Sequence, residues 1–222
     1  MRIISLITAI LLVALGSILT YKKYMEDFYG DKVQMHEECL QRLYVYYDRD
    51  YRLEDMTEVL VTSYGLDSLR AHYYCVMFDD MSQKYRVDWE WFGALMRMES
   101  NFVATAKSTA KCKGLMQMKE STLEAMCDTL GIRYRVNETA WDDIVNVVCG
   151  LTYFCRAAVK KSPHEAVKIY LGGSAYNRTI RVNREHRKYV GEYYSSVSRE
   201  RDRLRLAYQG VRAMKKRVDR KE

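Results

Sequence analysis

The sequence predicts an almost wholly α-helical protein. Three observations carry that expectation. The 222 residues include one Pro and 11 Gly, few helix breakers for such a length. Apolar residues recur at three- and four-residue spacing, whereas strict alternation is scarce. Helix-start signals stand ahead of several of these stretches. The length suits one domain of ordinary size with extensions.

The first element is Ile3 to Leu19, an uncharged apolar run of 17 residues. That is the short end of the range for a membrane-spanning helix, about 17–25 residues. Arg2 precedes it and Lys22-Lys23 follow it, so the flanking charges do not set orientation. A cleaved signal peptide is the alternative, with Ala14-Leu15-Gly16 as its small-x-small site. An uncleaved anchor is expected, because apolar residues continue through Ile18 and Leu19. From Tyr24 to about Arg70 the chain is polar and aromatic, with Cys39-Leu40, Leu43-Tyr44 and Tyr47 on one helical stripe. It reads as a stalk or helical cap. His36-Glu37-Glu38-Cys39 lacks the spacing of a metal motif, and neither metal nor organic cofactor is expected.

Val87 to Glu99 reads as an amphipathic helix. Trp89, Phe92, Leu95 and Met96 form its apolar stripe. Glu99 continues that stripe, three residues past Met96 and four past Leu95. A carboxyl drawn toward a core has its charged form disfavoured and its pKa raised. Such a group suits general acid catalysis near neutral pH. Glu99 also ends the helical run, and a Glu there can turn to solvent. The stretch from Glu99 to Gln117 is expected to be a long functional loop between helices. Ser121-Thr-Leu-Glu124 reads as a capping box opening a helix that Gly131 closes. Asp142 is expected to cap the helix carrying Asn146 and Tyr153. Ser162-Pro163-His-Glu165 is a second capping box, opening the helix that carries Tyr170.

Arg199 to Glu222 holds ten Lys or Arg against four Asp or Glu, most of the chain's formal charge of +7. The rest is nearly neutral. Leu204, Leu206, Tyr208, Val211, Met214 and Val218 give it a thin apolar stripe. A solvated helix extending the last domain helix is the first expectation. Attraction to an anionic surface is the functional alternative. No nucleic-acid recognition motif accompanies the charge. Six Cys (39, 75, 112, 127, 149, 155) allow fifteen complete pairings, and free buried thiols read equally well. A Cys112–Cys127 pair would brace the loop.

The motifs resemble those of the soluble lytic transglycosylases, a lysozyme-like family of glycoside hydrolase family 23 type. Glu99-Ser100-Asn101-Phe102, Ala106 with Ser108, Gly114-Leu115-Met116-Gln117 and Thr122 follow one another as in that family. Asn146 to Phe154, Ala166 to Gly173 and Glu185 to Val190 resemble its later segments. The resemblance covers about residues 75–197. It divides the chain into an anchor or signal segment (1–23), a stalk or cap (24–74), the catalytic domain (75–197) and a basic helical tail (198–222).

The resemblance implies that Glu99 is the sole catalytic carboxyl, acting on peptidoglycan. It would protonate the oxygen between N-acetylmuramic acid and N-acetylglucosamine. It would then act as base while the muramic 6-hydroxyl closes an anhydro ring. The usual glycosidase has two flanking carboxyl groups, and no Asp or Glu lies between Ser108 and Gln117. Ser108 and Gln117 would hydrogen-bond the muramic acid. Tyr170 and Tyr189 would face the cleft and Glu185 would border it. Met116 joins the candidate contacts, with core packing as its other reading. Leu171 replaces the family's Asn, His186 its Thr, and Lys119-Glu120 occupies the region of its usual Pro. A membrane-anchored enzyme on the wall side is expected, for phage entry or lysis, secretion or conjugation, or wall turnover. The alternatives are a goose-type muramidase and a catalytically weak wall-binding component of a virion or secretion apparatus.

Overall fold

The computed structural model describes residues 51–172 and 184–218. The apolar run 3–19, the segment 24–50 and its Cys39 lie outside the described residues, as does 173–183. Seven α-helices are described: α1 (Tyr51–Tyr64), α2 (Ser68–Tyr85), α3 (Glu90–Ser100), α4 (Glu120–Leu130), α5 (Asp143–Lys160), α6 (Pro163–Gly172) and α7 (Arg184–Val218). A short 3-10 turn, Thr139–Trp141, precedes α5. Among the described residues there is no β-strand, only isolated bridges pairing Lys107 with Lys113 and Lys113 with Met118. The all-α expectation therefore holds. Among the described residues, no helix is long and apolar enough to cross a membrane.

Local chemistry sets the helix ends. Asp67 accepts the Arg70 amide at 2.9 Å and opens α2. Asp142 caps α5 as expected, accepting from the Val145 amide at 3.0 Å. Ser162 accepts from Glu165 at 3.1 Å, but the Glu165 carboxylate pairs with Lys168 at 2.7 Å, leaving the box half made. The box expected at Ser121 does not form. Lys119 is the capping residue of α4 and Ser121 lies inside its first turn. Glu120 is held instead by Lys113 and the Asn137 amide, both at 3.2 Å, which starts the helix earlier. Gly131, at φ 66°, closes α4 as expected. The expected helix 87–99 begins later, at Glu90, with Trp89 as its capping residue.

The core is a ring-rich cluster. Phe92 of α3 lies between Phe78 of α2 and Phe154 of α5, at centroid distances of 6.0 and 6.1 Å. Leu53, Met56, Val59 and Leu60 of α1 are buried in the same cluster. Residues 51–74 are thus part of one core, and position 74/75 falls inside α2. Position 197/198 likewise falls inside α7, which is continuous over 35 residues.

The basic segment extends α7 as expected and most of its residues are exposed, but one face of it packs on the core. Val190, Val197, Leu204 and Val211 recur every seven residues and are all buried. The broader stripe does not hold, because Leu206 is 69 % and Met214 59 % exposed. Several cations turn inward. Lys215 meets buried Asp55 at 2.7 Å, Arg203 lies 5.0 Å from the Tyr64 ring centroid, and Arg201 stacks 4.5 Å from the Trp91 ring centroid. Tyr208 meets Trp89 edge-on at 5.6 Å.

Candidate active site

Glu99 occupies the last turn of α3, whose residues from Glu90 through Met96 are buried. The chain then leaves abruptly. Asn101 and Phe102 are both left-handed, at φ 54° and 62°. That conformation is costly for a bulky residue. Burial of the Phe102 ring against Tyr64 (4.7 Å) and Tyr74 (6.0 Å) offsets the cost. The reversal leaves the half-buried Glu99 carboxyl at the mouth of the loop. Burial pushes its pKa from the ordinary 4.5 up to about 7, against the lowering effect of a hydrogen bond from Tyr193. The Tyr193 hydroxyl donates that bond to Glu99 Oε1.

The loop 101–119 is clamped from α5. The buried Asn146 accepts the Met116 amide at 2.8 Å and donates to the Lys113 and Ala140 carbonyls, each at 3.0 Å. Gly114 makes this possible. It sits at φ 78°, and a Cβ there would lie 2.3 Å from Asn146 Nδ2. Gly150, one turn along α5, admits Met116, whose Cβ would otherwise be 2.5 Å away. Tyr170 of α6 donates to the Met116 carbonyl at 2.7 Å. Gln117, at φ 45°, donates its amide to the Ala106 and Gly114 carbonyls, both at 2.9 Å.

These elements enclose a pocket of about 150 Å³, lined by Glu99, Gln117, Thr122, Tyr153, Tyr170 and Leu171 among others. Glu99 is its one carboxyl among the described residues. Larger hollows lie between α1 and α2 and beside the C-terminal half of α7, away from Glu99. No group of three or more potential metal ligands occurs among the described residues.

The expected residues divide. Glu99, Gln117 and Tyr170 meet at the pocket, and Leu171 and Lys119 line it too. Ser108 closes a turn, its hydroxyl accepting the Cys112 amide at 3.1 Å, and does not line this pocket. The Met116 side chain is fully buried, so it packs the core and is no substrate contact; its backbone is the working part. Glu185 is exposed and Tyr189 is 57 % exposed, on the first turns of α7 and outside the pocket lining. Tyr193, one turn beyond Tyr189, is the residue sequence reasoning missed. The signal was its place three residues after Val190 and four before Val197, which puts it on their inward face. Its phenol is held well above the ordinary range by burial and by the Glu99 charge. Cys112 lines the pocket and is unbonded; Cys127 faces Cys149 instead, with sulfurs 3.8 Å apart.

The transglycosylase SLT domain family matches residues 76–197. The chain belongs to that family. The matched range runs from within α2 to midway along α7, and so includes Glu99, the clamped loop and Tyr193. Among solved structures, an inactive mutant of the lytic transglycosylase Slt from Pseudomonas aeruginosa is similar. It shares 17 % identity with a TM-score of 0.44, over 77 % of this chain and 29 % of that one. This chain therefore spans under a third of that protein's length. Comparison with curated proteins gives no match.

Proposed function

We propose that this protein is a peptidoglycan lytic transglycosylase that cuts between N-acetylmuramic acid and N-acetylglucosamine and leaves an anhydro-muramic end. The observation that carries the reading is Glu99: the one carboxyl of the pocket among the described residues, held by burial near pKa 7 and met by a phenol from a distant helix. At neutral pH a large fraction is protonated and able to donate to the leaving glycosidic oxygen. The carboxylate left behind accepts the proton of the muramic 6-hydroxyl as that oxygen closes on the anomeric carbon. The Tyr193 hydroxyl stabilises the carboxylate in the interval. Tyr170 holds the Met116 carbonyl and so fixes the Gln117 turn beside the sugar. Gln117 commits its amide hydrogens to the loop, so its oxygen is the atom offered to a sugar hydroxyl. Ser108, Tyr189 and Glu185 belong to contacts farther along the glycan strand.

The protein acts on the wall side of the membrane, with the apolar run 3–19 as an N-terminal anchor. Supporting this are the length of that run and the location of the polymer cut. The exposed cations of α7 that are not turned inward favour the anionic surfaces of lipid or wall polymer.

Mass spectrometry of purified peptidoglycan digested by the protein tests the reading. Anhydro-muramic ends are expected, and Glu99→Gln abolishes their release. Reducing ends in their place would make the protein a muramidase, with the same Glu99 activating water. No cleavage by the wild type would leave a wall-binding component.

A further inference from the structure

We propose that Cys127 and Cys149 form an intramolecular disulfide that ties the pocket wall α4 to the buried helix α5. Of the described cysteines, these two alone bring their sulfurs together, at 3.8 Å. A bond of about 2.05 Å requires a closing movement that side-chain rotation and a small shift of a helix end supply. Cys127 is well placed for it, in the last turn of α4 just before the left-handed Gly131.

The bond has structural work to do. Leu123 and Cys127 are the fully buried residues of α4, with Met126 and Leu130 packed partly buried beside them, so the helix rests on the core by one face. Its N-terminal end supplies Thr122 to the pocket wall, preceded by Lys119. Cys149 lies one turn beyond Asn146, the residue that clamps the loop, and next to Gly150. A covalent link between Cys127 and Cys149 would therefore tie the helix that supplies Thr122 to the pocket to the helix whose Asn146 clamps the loop. The other described thiols do not compete. Cys75 and Cys155 are buried on α2 and α5 with no described sulfur partner, and Cys112 is on the loop.

The chemistry is thiol–disulfide exchange with an external disulfide, such as oxidised glutathione or a disulfide-donating protein. One cysteine thiolate attacks that disulfide and forms a mixed disulfide, releasing one reduced thiol. The second cysteine thiolate then displaces the other thiol. Two protein thiols are oxidised to one disulfide, and the external disulfide is reduced to two thiols that carry off both protons. Both sulfurs are fully buried in the fold, and contact with Cys127, together with burial, holds the Cys149 thiol well above the ordinary range. Oxidation therefore proceeds during folding, before the core closes. The proposal is independent of the reaction assigned to Glu99 and needs only a disulfide-forming environment.

The test is to refold the full chain in a glutathione redox buffer, block free thiols, and map tryptic peptides without reduction. The expected species joins residues 120–133 to residues 136–156, two hydrogens lighter than the separate peptides. The second peptide also contains Cys155, and fragmentation between positions 149 and 155 assigns the bond. Reduction should lower Tm by about 6–12 °C, from a closed loop of some twenty residues. Cys149→Ala should remove both the linked species and the redox dependence of Tm. Blocked thiols at both positions, or Cys127 joined to Cys39, Cys112 or Cys155, would overturn the pairing. A bond whose reduction leaves Tm unchanged would overturn the bracing role.

Discussion

Glu99→Gln should make the protein more stable while making it inactive, and only above a definite pH. In the unfolded chain the carboxyl titrates near its ordinary 4.5, and in the fold near 7. Below pH 4.5 both states carry the proton and the group costs nothing. Between 4.5 and 7 the folded state retains a proton that the unfolded chain has released, so stability falls as pH rises. Above 7 the full cost is present. A separation of about two and a half pH units corresponds to about 3 kcal/mol. Solvent reaching the pocket mouth trims this, leaving about 2 kcal/mol or more. Gln has the same shape, stays neutral and can still accept from Tyr193. Its Tm should therefore match wild type at pH 4 and exceed it by about 4–8 °C at pH 8. Scanning calorimetry on both proteins at half-unit pH steps measures the difference. Equal Tm values throughout, or a gain of one size at every pH, would refute the account, since neither follows from a buried ionising group.

Tyr193→Phe removes the bond that favours the charged carboxyl. A hydrogen bond to a charged group is worth about 1.5–3 kcal/mol, so the alkaline limb of the pH–activity profile should move up by about 1–2 units. An unmoved limb would detach Tyr193 from the acid. Asn146→Ala strands the Met116 amide and two carbonyls, and should cost about 3–5 kcal/mol in urea denaturation. Leu204→Ala lies beyond the family match yet in the core, so it should cost about 2–5 kcal/mol; a loss below 0.5 kcal/mol would return this part of α7 to the role of a solvated tail.

Fold and site were legible in the sequence to different depths. Glu99, Gly114, Gln117 and Tyr170 belong to short local patterns, and Asp142 and Gly131 act through their immediate neighbours, so spacing suffices to find them. Tyr193 reaches Glu99 across 94 positions. Its role depends on how α7 lies along α3, which local periodicity does not specify; Tyr189, in a recognisable motif, was the natural but exposed choice. Met116 shows a related limit. Its importance is in its amide and carbonyl, so motif position marks the residue without saying which atoms act. The Ser121 box failed because Glu120 found partners at Lys113 and Asn137, a tertiary competition that a local pattern does not contain. The packed face of the charged tail was hidden for the same reason. Its inward cations answer Asp55 and Trp91, which lie far from it along the chain.

Tyr193 engages one oxygen of Glu99, Oε1. In the proposed reaction the delivery and the recovery of the proton therefore fall to the other, Oε2. A carboxyl using both oxygens could serve two points in space while the sugar stayed still. This one serves a single point, so the saccharide must do the travelling: the departing oxygen retreats, and the 6-hydroxyl swings into the place it vacated. The pace of turnover is then tied to how freely a severed glycan can shift within its groove, and a bulky or cross-linked strand should stall after the bond is broken, not before.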